Sequence, residues 1–136
     1  MSRHRWSTLL AWSGLFAVGA LAAVLRYQLV EPPAFAERCV AAAAGAPAWC
    51  ALRAGVVAGF LNNSFGDAAL VASALALLHR RRWTAWLAAA LGAFAVELYC
   101  YQSGALALLI GSVLLVRDAT PRHEHGEPRQ GVQAQP

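Results

Sequence analysis

ALRAGVVAGFLNNSFGDAALVASALALL, residues 51–78, decides how the chain is read. The run is apolar for long enough to cross a bilayer, since a spanning helix takes about 20 residues. Its middle nevertheless holds Asn62, Asn63, Ser64 and Asp67. Hydrocarbon offers such groups no hydrogen bonds, so protein must supply them. On one unbroken helix, Gly55, Gly59, Asn63 and Asp67 fall at four-residue steps and form a single ridge. Gly55-x-x-x-Gly59 is a small-x-x-x-small pattern, which lets a second helix approach closely. On this reading Gly55, Gly59, Asn62, Asn63 and Asp67 are an intramembrane contact surface. A proton or ion step at Asp67, assisted by Asn62 and Asn63, is the competing reading, because an acid within a span is a functional candidate by default.

Three further apolar segments flank this one, at residues 8–30, 83–101 and 103–116. The last two abut and read as a helical hairpin turning at Gln102, Ser103 and Gly104. The expected fold is therefore all-α, an integral membrane bundle of four spans occupying residues 1–117. Residues 118–136 are polar and rich in proline and glycine, with little to bury, and are expected to be a disordered tail. Composition agrees. The chain is 59% hydrophobic and 13% charged, with a mean hydropathy of +0.47, whereas soluble domains are about 45–50% apolar and about 25% charged. Beside four spans, 136 residues leave no space for a soluble catalytic domain.

All eleven basic residues are arginine. Arg3 and Arg5 precede the first segment, Arg80, Arg81 and Arg82 separate the second from the third, and Arg117, Arg122 and Arg129 follow the fourth. Positive residues stay on the cytoplasmic side, so both termini are expected inside and the loop 31–49 outside. Tyr27, Trp49, Tyr99 and Tyr101 then form the outer aromatic belt, and Trp6 and Trp83 the inner one. The exclusive use of arginine, with abundant alanine, points to a bacterial protein of the inner (cytoplasmic) membrane. A competing reading takes residues 1–36 as a signal peptide cut after Ala34-Phe35-Ala36. Its apolar core is longer than the usual 7–15 residues. The net charge of +4 reports topology rather than nucleic-acid binding, for which the patterned basic patch is missing.

Cys39 and Cys50 bracket a short loop on the expected outer side and are read as a disulfide. Closing a loop of about ten residues contributes about 2–3 kcal/mol in the chain-entropy model. Cys100 falls at the same end, so Cys39, Cys50 and Cys100 together make a membrane thiol oxidoreductase a third function class. The Cys-x-x-Cys pair of quinone-linked thiol oxidases does not occur. Arg26, Arg53 and Glu97 lie at similar depth near the outer rim, and a charge in lipid needs a partner. Arg26 with Glu97 is the expected pair, and the arginines are suited to an anionic lipid group. His123, Glu124 and His125 make only a weak metal motif, and no catalytic set, metal site or cofactor motif is read. Over residues 19–29, GALAAVLRYQL resembles the opening of the small four-span fluoride channels, but their Thr-Thr-Phe-Ser-type stretch does not occur.

The partners expected are membrane lipids and either another membrane protein or further copies of this chain. The leading function is an accessory or interaction subunit of a larger membrane complex, packing through the second segment. A small oligomeric transporter or channel is the alternative. Topology is directly testable. A reporter fused after the C-terminus should read cytoplasmic, and one inserted between Ala41 and Ala44 should read external. An external C-terminus removes the four-span count.

Overall fold

The computed structural model describes residues 2–42 and 45–120, with side chains from Trp6 onward. Every element among them is helical. Helix α1, Ser2–Val24, continues into a π-helical stretch, Leu25–Val30. Five helices follow: α2 (Pro33–Ala41), α3 (Ala48–Leu61), α4 (Ser64–His79), α5 (Arg82–Glu97) and α6 (Tyr101–Ala119). Proline opens α2 at its first turn, where the missing N–H costs nothing. The disulfide Cys39–Cys50 forms, with an S–S distance of 2.07 Å, and ties α2 to α3.

Three left-handed residues separate the last four helices: Asn63 (φ 55°), Arg80 (φ 47°) and Tyr99 (φ 69°). Asparagine takes this conformation readily, but arginine and tyrosine seldom do and must be held there by their surroundings. The break at Asn63 corrects the reading of residues 51–78 as one unbroken helix. α3 and α4 meet at 65°, so Gly55 and Gly59 do not share a helix with Asp67, and Asn63 is the hinge. The cause is local: Asn-Asn-Ser favours turns and caps over helix interior. The hairpin turn likewise falls at residues 98–100 rather than at Gln102, Ser103 and Gly104, which begin α6. Cys100 N–H closes it on the Ala95 carbonyl at 2.9 Å.

Among the described residues, two helices are long and apolar enough to cross a membrane, Trp6–Val30 and Tyr101–Ala119; a third counts if α3 and α4 are one broken span. α5 has 16 residues, about 24 Å of helix against about 30 Å of hydrocarbon. The expected tail start moves outward, because α6 runs through Ala119. Residues 121–136, including His123, Glu124 and His125, lie outside the described residues.

The interior is built of small residues. Ala88, Ala89, Ala95 and Ala107 are completely buried, and Leu98 is the largest side chain that is fully enclosed. Large apolar groups point out: Phe16 is 75% exposed and Leu78 78%. This reverses the arrangement of a water-soluble protein and matches helix packing in lipid, where small residues let backbones meet. α5 and α6 form the most extensive contact. A Cβ on Gly104 would lie 2.7 Å from the Val96 nitrogen and 2.9 Å from the Gly92 carbonyl oxygen, and one on Gly92 or Gly111 would strike the opposite main chain. Gly55, by contrast, has nothing within 4 Å of the same position.

The two kinds of glycine give opposite forecasts. Gly104→Leu forces main chains apart and should cost about 3 kcal/mol or more, the upper end of overpacking penalties. Gly55→Ala meets no atom and should stabilise α3 by about 0.5–1 kcal/mol through helix propensity. Unfolding of the detergent-solubilised chain measures both, and equal effects of like sign would contradict the seam.

Candidate functional site

Polar side chains collect at the two ends of the helical bundle. One end holds Arg80, Arg81 and Arg117 around a small pocket, with Arg82 donating to Ser7 Oγ at 2.8 Å and Thr8 Oγ1 at 3.2 Å. The other end holds Arg26, Glu31, Arg53, Tyr99 and the α3–α4 break, and this second end is the candidate site.

Its centre is a clasp on the π-helical stretch. Residues five apart on an α-helix lie about 140° from each other around the axis. A π turn closes i→i+5 instead, here with Glu31 N–H on the Arg26 carbonyl at 3.0 Å. That turn lets Arg26 Nε donate to Glu31 Oε1 at 2.9 Å. Tyr99 O–H donates to the same oxygen at 2.9 Å, while the Arg26 guanidinium sits 4.2 Å from the centre of the Tyr99 ring. Arg26 Nη1 also donates to the main-chain carbonyl of Glu97 at 3.3 Å. These contacts over-determine Tyr99, which explains how a tyrosine keeps φ at 69°. The guanidinium and the phenol hydroxyl hold the Glu31 carboxyl below the usual glutamate range.

The expected pairing of Arg26 with the Glu97 carboxylate is therefore replaced by pairing with Glu31. Among the described residues, Glu97 makes no ion pair, and its side chain lines an apolar groove of about 460 Å³ with Trp12, Phe16 and Gly19. Arg53 stands close by but serves another end: its Nε and Nη2 donate to the Leu29 and Val30 carbonyls at 3.2 and 3.3 Å. Those carbonyls end the π turn and have no further helical partner, so Arg53 caps α1 from α3.

The break between α3 and α4 packs beside the clasp. Phe60 meets the Tyr99 ring with centroids 5.5 Å apart. Asn63 Nδ2 donates to Asp67 Oδ1 at 3.1 Å, and Asp67 sits in the first turn of α4, where the helix dipole favours negative charge. Asn62, Asn63 and Asp67 are all exposed. Gly66 lies buried against Ser103 of α6. Asn63, Tyr99, Cys100, Gln102 and Ser103 share an open cleft of about 640 Å³. Cys100 is buried among Ala69, Ala95 and Ala107, and its thiol is free. Among the described residues no group of three His, Cys, Asp or Glu side chains is placed to hold a metal.

Glu31 and Tyr99 are the residues that the sequence reading missed as site members. Tyr99 carried a signal in its place at an aromatic belt; the Glu31 spacing to Arg26 carried none, because it depends on the π turn. No protein-family model, curated protein or solved structure matches the chain.

Glu31 supplies a pH forecast. A depressed carboxyl pKa contributes stability that is present above the unfolded value and lost as pH falls through the folded one. The Tm difference between wild type and Glu31→Gln should stay level from pH 8 to 5, then shrink below about pH 4.3. Tyr99→Phe should lower Tm in the same range. A difference that disappears already between pH 7 and 5 would show that the clasp does not set this titration.

Proposed function

We propose that the chain is a small integral membrane protein of four spans, with both termini cytoplasmic and residues 31–49 outside, acting as an accessory or interaction subunit of a larger membrane complex. A bacterial inner membrane fits its arginine-only basic set. The observation that carries the interaction role is the open face of α3. Within this chain α3 is held by the Cys39–Cys50 bond, by Arg53 on the Leu29 and Val30 carbonyls and by Phe60 on Tyr99. Its other side offers Leu52, 54% exposed, and Gly55 with nothing near it. A bare glycine inside a helix costs about 1 kcal/mol of helix propensity. A partner helix that packs closely on that glycine offsets the cost. Four spans require α5, at 16 residues, to cross with its ends drawn in, and membranes thin locally around short helices.

A second reading, transport through Asp67 with Asn62 and Asn63, is favoured by the helix break itself. Broken membrane helices expose main-chain groups and helix ends that bind ions, and Asp67 stands in the first turn after this one.

One experiment addresses both. A photo-crosslinking residue at position 52 should give one discrete adduct in the native membrane, lost on adding Gly55→Leu. The same group at Phe16 should give none. No adduct at position 52 overturns the interaction reading, and an adduct of two copies of this chain makes it self-association. Proton flux into proteoliposomes that is lost in Asp67→Asn, with the adduct retained, would promote the transport reading.

A further inference from the structure

The arginine-rich end of the bundle holds a second site. Arg80 and Arg81 follow α4, while Arg117 closes α6, and the fold brings all three to the rim of one pocket of about 100 Å³. Ala76 and Leu114 provide apolar walls, and Asp118 is the one acid on the rim. Among the described residues, none of these three arginines forms an ion pair, with Asp118 or any other acid. Arg82 differs, being tied to Ser7 and Thr8. Arg80 also takes the left-handed position at the end of α4, with its N–H on the Ala76 carbonyl at 3.0 Å. Glycine or asparagine is the usual residue there, so arginine at this point adds a cation where local geometry favours none.

Among the described residues, three guanidiniums and a single carboxylate surround this cavity, and a bound anion reduces the repulsion among the guanidiniums. Guanidinium groups match phosphate oxygens with paired donors. We infer that this pocket binds a phosphate group. A phospholipid headgroup and free phosphate share that chemistry, and basic pockets between membrane helices are suited to lipid phosphates.

The full-length chain is purified in mild detergent and its Tm followed with added phosphatidylglycerol, phosphatidylcholine or inorganic phosphate. Phosphatidylglycerol should raise Tm more than phosphatidylcholine does. Each of Arg80→Gln, Arg81→Gln and Arg117→Gln should weaken its apparent affinity about five-fold, the effect of one basic residue near an anionic surface. Asp118→Asn should strengthen it, a gain that misfolding cannot mimic. Arg38→Gln, an exposed arginine beside Phe35, should leave it unchanged. An equal rise with inorganic phosphate alone identifies free phosphate as the occupant. No rise with either phosphate source, or equal loss in Arg38→Gln, overturns the site.

Discussion

The backbones of α5 and α6 touch, and the rest of the fold follows from that contact. With glycine at positions 92, 104 and 111, each helix's main chain comes directly against the other at these points. Such proximity obliges the connecting turn to be short, which leaves residues 98–100 to reverse the chain. Tyr99 is consequently lifted onto the rim, where it can reach α1 and α3 together. The alanine face of α4 then completes a core that contains almost no large side chain. The bulky apolar groups that would fill the interior of a soluble protein are displaced to the perimeter, where lipid can receive them.

Charge is handled differently at the two ends. At the Tyr99 end, two arginines are engaged inside the chain, Arg26 on Glu31 and the Glu97 carbonyl and Arg53 on the carbonyls that close α1, while Arg38 is exposed. At the opposite end, Arg82 is tied down by side chains of α1. Arg26 and Arg53 thus tie α1 to the end of α5 and to α3, whereas Arg80, Arg81 and Arg117 form no ion pair among the described residues. The Cys39–Cys50 bond adds to the first set of ties by fastening α2 to α3.

Much of the architecture is legible in the sequence where it depends on run length alone. The first segment, read at 8–30, is the helix Trp6–Val30, and the cysteine pair joins as its spacing indicates. Legibility fails where two local signals compete. Residues 51–78 read as one unbroken helix because apolar length outweighs Asn62, Asn63 and Ser64, which are turn formers. The sequence points to Gly55 and Gly59 for the tight helix seam, but Ala107 and Gly111 carry the same four-residue spacing and, with Gly104, are the ones buried. The Arg26–Glu31 link was unreadable, since a five-residue spacing pairs only on a π turn. Depth in the membrane, taken alone, points to Glu97 instead.

That π turn bears on how the chain tolerates insertions and deletions. A π turn is an α-helix carrying one residue more than its turns require. Removing one residue between Tyr27 and Val30 would let ordinary α-helix re-form and leave Glu31 four positions after Arg26, about 40° away around the axis, where the two side chains still meet. The preceding stretch, with Trp12 and Leu15 packed on α5, would keep its register. Loss of one residue at this one place is therefore absorbed by the turn, which spares both the Arg26–Glu31 pair and the packing that precedes it. Elsewhere in α1 the same change would rotate every later contact at once.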